Sequence, residues 1–412
     1  MEQQHNTSKN SLAKRWLSIL GPGIITAALV FGPSKMTITS KMGADYGFAL
    51  TWIIVVAISF MMVFTNMGAR IGIARDESLL TLIRNKFGKP TSIIIGLGIF
   101  LVATSFQSGN ATGVSLSVSE ATGSDPKMWI VVFNVIGILL LFFKSFYVLL
   151  EKLMLALIII MLFAFLSTAV MIQPAWADLA AGFIPSIPPG SIGLVIAFTA
   201  SCFSIVGAFY QSYLVQSRKK LSANTETAQR QILGSRVGIF ILGIMSAAVM
   251  VCAANTLHPQ GVKLNSAAEM GKALEPLLGS YASHLFYIGL FGASFSSLIG
   301  NAVLGGSLLG DTFGYGNNLN HPMVKLFISL VMIFGSAIAL IFNGLPLELI
   351  VFAQSITIFL VPIIGVVMFL IANDKGLMGD QSNKPLTKIW AILGLLILIT
   401  LAFSNLYNLL LK

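Results

Sequence analysis

Long apolar runs alternate with short polar and basic intervals along almost the whole chain. A bilayer core roughly 30 Å thick needs about 20 consecutive apolar residues at the rise of a helix. Eleven segments satisfy that length, near 17–43, 48–73, 91–114, 128–149, 153–173, 192–216, 236–256, 282–309, 324–343, 346–371 and 386–410. The pattern predicts an all-α membrane protein with eleven transmembrane helices. Polar residues 1–15 lead directly into the first span without a small-residue cleavage site, so they are expected to form a cytoplasmic tail.

Two of these spans are interrupted. The first carries Gly32 and Pro33 within its apolar run, which frees backbone groups that a neighbour, water or ligand must satisfy. The sixth places Ser201, Ser204 and Gly207 at a comparable depth. First and sixth are corresponding members of two five-helix halves, and an odd number of helices between them gives the halves opposite topology. Interrupted helices at matching places in inverted repeats point to a binding site at the membrane midplane. The expected organisation is one transport domain over 16–412, with repeats near 16–175 and 190–372 and an extra helix near 386–410.

Composition agrees with the hydropathy pattern. Of 412 residues, 56% are hydrophobic and 10% charged, where a soluble domain would have about 25% charged residues. The net charge of +10 lies in short loops rather than on one solvated face with stacking aromatics, so nucleic acid is not an expected partner. With the N-terminus inside, the cytoplasmic loops receive Arg70, Arg75, Arg84, Lys86, Arg218, Lys219, Lys220, Arg230, Arg236, Lys375, Lys384 and Lys388 among others. The outer side receives only Lys41, Lys127, Lys263, Lys272 and Lys412. This predicts a multi-pass protein of a bacterial inner membrane with the C-terminus outside. Cys202 and Cys252 lack metal-site spacing and are expected to be buried thiols. The Gly300–Gly310 run has neither a Walker lysine nor a strand and is expected to serve close helix packing.

The first span contains Gly21-Pro22-Gly23, then Gly32-Pro33-Ser34-Lys35, then Met42-Gly43-Ala44-Asp45-Tyr46-Gly47-Phe48. Further on come Arg70-Ile71-Gly72-Ile73-Ala74, Gly182-Phe183-Ile184-Pro185-Ser186-Ile187-Pro188 and Leu214-Val215-Gln216-Ser217-Arg218. Late in the chain stand Ile288-Gly289-Leu290-Phe291-Gly292-Ala293 and Leu370-Ile371-Ala372-Asn373 with Met378-Gly379. In order and spacing this series resembles the NRAMP family of proton-coupled divalent-metal transporters. The resemblance implies the LeuT-like architecture of five plus five inverted helices, with helices 1 and 6 broken. It also implies that Gln354 matches a glutamine that joins the site on closure.

The departures from the family gather at the site. Where relatives place an Asp and an Asn that bind metal, this chain has Gly32 and Lys35. The coordinating Met of the sixth helix is matched by Ser204, and the alanine that offers a carbonyl by Ser201. The third helix, through Ser105, Gln107, Ser108 and Asn110, lacks the family's acidic proton path. An intramembrane lysine costs on the order of 3 kcal/mol to insert and by default marks a functional site. An ammonium about 4 Å from a dication repels it by roughly 8 kcal/mol at an effective dielectric near 20. These residues therefore lead to an expected substrate site of Gly32, Pro33, Ser34, Lys35, Ser201, Ser204 and Gln354, with no resident metal and no cofactor. Its expected substrate is a small inorganic or organic anion such as bicarbonate or a small carboxylate, carried by alternating access with H+ or Na+ as coupling ion. The alternative is a divalent cation (Mn, Fe or hydrated Mg) with atypical coordination, and a third reading is a membrane receptor that does not transport. No set of nucleophile, acid and base converges in the membrane, so an enzyme is not expected.

Overall fold

The structure, a computed structural model, describes residues 31–142, 144–202, 205–222, 225–342 and 346–410. The tail over 1–15, the Gly21-Pro22-Gly23 motif and Ser204 lie outside the described residues.

Every described element is helical. The first half of the chain forms α1 (Pro33–Tyr46), α2 (Thr51–Ala74), α3 (Leu79–Phe87), α4 (Lys89–Thr122), α5 (Pro126–Leu140), α6 (Lys144–Met171) and the short α7 (Trp176–Ala181). The second half forms α8 (Ile192–Cys202), α9 (Ile205–Ser222), α10 (Thr225–Thr256), α11 (Ala267–Gly271), α12 (Glu275–Leu278), α13 (Ala282–Thr312) and α14 (Pro322–Ile341). After these come α15 (Pro346–Thr357), α16 (Val361–Asn373), α17 (Lys375–Met378) and α18 (Pro385–Leu410).

Described helices fall within each of the eleven expected spans, in the first of them only from residue 33 onward. The first described part is α1, and the others are α2, α4, α5, α6, α8 with α9, α10, α13, α14, α15 with α16, and α18. Seven among the described residues are long and apolar enough to cross a bilayer unaided, and α15 with α16 makes an eighth, bent by 41°.

That bend is a break the hydropathy pattern does not reveal. Pro362 enters at the start of α16 and lacks an N–H. The chain between α15 and α16 closes instead with short-range turns, Ile358 N–H to Ser355 O, Phe359 N–H to Ile356 O and Leu360 N–H to Thr357 O. In the first span, Gly32 is extended and Pro33 occupies the first turn of α1, a position where the missing proline N–H costs nothing. The described part of that span therefore begins as a fresh helix N-terminus inside the membrane.

Helix packing relies on small residues. A Cβ on Gly305 would stand 2.5 Å from the Ala103 Cβ, and one on Gly306 would stand 2.3 Å from the Ile328 backbone nitrogen. The glycine run of α13 thus lets α4 and α14 approach to backbone distance, as expected. α1 lies along α10 in the same way, since a Cβ on Gly43 would meet Met250 O at 2.3 Å. Cys202 and Cys252 are buried free thiols.

Candidate functional site

The break before α1 opens onto a central cavity of about 330 Å³. Gly32, Ser34 and Lys35 reach it from α1 and its N-cap, Ser201 from α8 and Gln354 from α15, so five of the expected site residues share one cavity. Pro33 is buried away from it, packed on α4 where a Cβ on Gly113 would stand 2.6 Å from the Pro33 Cβ.

Lys35 is 3% exposed, and its Nζ donates to the Ser201 carbonyl at 2.7 Å. This bond ties the two interrupted spans together. Beside it, Gln354 Nε2 donates to Ser34 Oγ at 2.7 Å, joining α15 to the break. The Gln354 Oε1 atom is buried and accepts no hydrogen bond among the described residues. A buried acceptor left unmet costs about 1–3 kcal/mol, so this oxygen is set for a positively polarised partner in the cavity.

Four further groups complete the wall, and polarity in the sequence did not single them out. Asn110 of α4 donates to Ser297 O at 3.1 Å, while Asn301 of α13 donates to Ala103 O at 2.7 Å and to Gln107 Oε1 at 3.2 Å. Gln211 of α9 donates to Ser235 Oγ at 2.7 Å. Met61 of α2 adds a thioether to the wall. Membrane helices commonly use Asn, Gln and Ser as packing groups, so only their convergence in space marks them. Among the described residues no three His, Cys, Asp or Glu side chains come together. Among the described residues the wall is largely apolar, with Phe106, Leu214, Ile239 and Leu304, and its polar side chains are neutral hydroxyls and amides with a single ammonium.

The cavity extends from the break toward the end of the bundle that carries Arg70 and Arg75, along Thr65, Tyr210, Leu214 and Leu304. The opposite end is sealed. There His258 Nδ1 donates to Ala44 O at 2.8 Å, Lys41 Nζ donates to Leu264 O at 3.3 Å, and α1 packs on α10. Glu120, at the end of α4, accepts from the backbone N–H groups of Ala267 and Ala268 at 2.9 and 2.7 Å, which pins α11 across that end. Among the described residues the cavity lining therefore runs toward one end of the bundle, and the contacts just named close the other.

Residues 23–408 match the family model described as natural resistance-associated macrophage protein-like. A divalent metal cation transporter, MntH, of Deinococcus radiodurans is 28% identical over 397 residues, covering 93% of this chain and 88% of that protein. The MntH of Erwinia tasmaniensis is 24% identical over 405 residues, covering 96% and 95%. Among solved structures, a mutant manganese transporter of Eremococcus coleocola superposes with a TM-score of 0.76 at 19% identity, over 96% of this chain and 86% of that one. The transporter MhsT in complex with L-phenylalanine gives 0.57 at 17% identity, over 92% and 98%. These likenesses carry the LeuT-like fold.

The comparisons overturn the anion expected from Lys35, both as transported substrate and as partner, because the curated relatives are named as divalent metal cation transporters. The geometry supplies the physical reason. The Lys35 amine lines the cavity, but one of its N–H groups is engaged by a carbonyl of the facing helix. Among the described residues lining the cavity, the buried side-chain atom without a hydrogen bond is an acceptor, Gln354 Oε1, which an anion cannot satisfy.

Proposed function

The chain belongs to the natural resistance-associated macrophage protein family, and from that premise we propose that it is a membrane carrier moving a divalent metal cation by alternating access. The observation that carries the cation over other cargo is the buried, unpartnered Gln354 Oε1 in the wall of the central cavity.

The donors facing the cavity are those that hard cations accept: hydroxyl, amide and carbonyl oxygens, joined here by the Met61 thioether. No carboxylate joins them among the described residues of that wall. An ion held by neutral groups keeps much of its hydration shell, as Mg²⁺ does by preference. Six waters at about 30 Å³ each occupy roughly 180 Å³, and the cavity of about 330 Å³ has room for them. Lys35 then acts as a fixed positive group that lowers affinity for the dication and favours a water layer between ion and protein.

In this reading Gly32, Ser34, Ser201 and Gln354 contact the hydrated ion, and Lys35 holds the two interrupted helices in register through Ser201. The repeats over 16–175 and 190–372 form the transport domain and the helix over 386–410 flanks it. The end bearing Arg70 and Arg75 faces the cytoplasm, because basic residues are retained there, so the cavity opens inward.

The test is titration of purified protein with MnCl2 and MgCl2, with sodium bicarbonate and sodium acetate as counterparts, followed by thermal unfolding. A ligand that binds the folded state raises the melting temperature with concentration. The proposal expects a rise with at least one divalent chloride and none with either sodium salt. A rise with an anion alone overturns it.

A further inference from the structure

Outside the transport site, a second cavity of about 520 Å³ runs as a groove between α2, α10 and α18. Its walls are apolar along most of their length, with Ile54, Ile58 and Met62 on one side and Phe240 and Ile244 on the other. Along α2 it extends from Thr51 to Asn66, about 22 Å at the helical rise. That exceeds the roughly 15 Å depth of one leaflet's hydrocarbon.

The groove has a polar end and an apolar one. At the polar end Arg236 Nε donates to Asn66 Oδ1 at 2.7 Å, and Trp390 closes the wall. Arg236 is exposed, and among the described residues no carboxylate lies within ion-pair reach of it. Arg70 stands one turn along α2 from Asn66, the residue that Arg236 contacts. The Arg70 donors are engaged by the segment after α17, at Gln381 O, Ser382 O and Asn383 Oδ1, so Arg70 adds field rather than a free contact. Two basic residues one turn apart along the groove, with no carboxylate in ion-pair reach among the described residues and Trp390 in the wall, are complementary to a phosphate that carries an acyl chain.

We propose that this groove is a binding site for one anionic phospholipid of the leaflet on the basic side, its phosphate on Arg236 and one acyl chain lying between α2 and α10. The site is independent of the cargo assigned to the central cavity. It predicts that the full-length protein, purified in detergent, retains phosphatidylglycerol over phosphatidylcholine by about fivefold, the gain from one basic residue near the membrane surface.

Native mass spectrometry of the protein mixed with equal amounts of the two lipids reads that ratio. Arg236→Gln is expected to bring it to about one, and Arg236→Lys to restore it. Gly243→Leu places a side chain against Ile58, since a Cβ on Gly243 already stands 3.3 Å from both Cγ1 and Cγ2 of Ile58. That variant is expected to lower retention of both lipids, whereas inorganic phosphate should not displace phosphatidylglycerol. Equal retention of the two lipids by the wild type overturns the proposal, as does an unchanged ratio in Arg236→Gln or displacement by inorganic phosphate.

Discussion

Substituting Lys35 by glutamine removes the ammonium that donates to Ser201 O at 2.7 Å while keeping a donor of similar reach. If the ion keeps a water layer, its distance from the Lys35 nitrogen is a metal–oxygen contact of about 2.1 Å plus a hydrogen bond of about 2.8 Å, or about 5 Å. A dication and a unit charge at about 5 Å repel by about 1.7 kcal/mol at the dielectric of water and about 7 kcal/mol at an effective dielectric near 20. Because the cavity is open to one side, the water limit is the conservative choice. Even that limit corresponds to more than tenfold in affinity, at about 1.4 kcal/mol per decade. Isothermal titration of MnCl2 and MgCl2 into wild type and Lys35→Gln should therefore show at least tenfold tighter binding in the variant for the ion that the wild type binds. Loss of a charged hydrogen bond costs about 1.5–3 kcal/mol and relief of a buried charge returns about 3 kcal/mol, so the apo melting temperature should change little. Equal or weaker affinity in a variant that melts normally would refute the reasoning that Lys35 limits cation affinity.

The remaining predictions concern the cavity and its frame. Gln354→Leu deletes the unmet acceptor and should abolish the cation-dependent rise in melting temperature while leaving the apo protein folded, as checked by size-exclusion chromatography. Gly32→Asp combined with Lys35→Asn changes the site charge by two units toward the negative, and should tighten Mn²⁺ binding beyond Lys35→Gln in the same titration; the new Cβ stands 2.9 Å from Ser297 Oγ, so that hydroxyl must rotate. Gly43→Ala sets a methyl 2.3 Å from Met250 O and should cost about 1–3 kcal/mol as an overpacked contact, read as a lower melting temperature. At the surface, the hydrogen bond from Lys86, helped by the Leu377 and Gly376 N–H groups, holds the Asp374 carboxyl below its ordinary range. A depressed folded value means that this contact stabilises above the unfolded carboxylate range and is lost as pH falls through the folded value. Asp374→Asn should therefore reduce the loss of melting temperature in titrations below about pH 4.

The spans were legible because burial in lipid demands long apolar runs, and the first interruption was legible because Gly32 and Pro33 are poor residues for a helix interior. The bend between α15 and α16 was not, since Pro362 sits in an unbroken apolar run and the turns that replace its missing N–H are backbone bonds with no side-chain signature. At the site, Lys35 announced itself by charge. Its meaning was misread because sequence gives the charge but not the partners of the amine, one of whose N–H groups is held by the Ser201 carbonyl. Met61, Ser297 and Asn301 gave no warning, as each is an ordinary packing residue for a membrane helix until eight helices converge on one cavity.

Flux through reconstituted protein bears most directly on the proposed cargo. Proteoliposomes loaded with a divalent-cation-sensitive dye, diluted into MnCl2 or MgCl2, should show protein-dependent entry of at least one ion, which Gln354→Leu abolishes. Liposomes that admit neither ion above the protein-free rate, while labelled bicarbonate or acetate accumulates, would contradict the account.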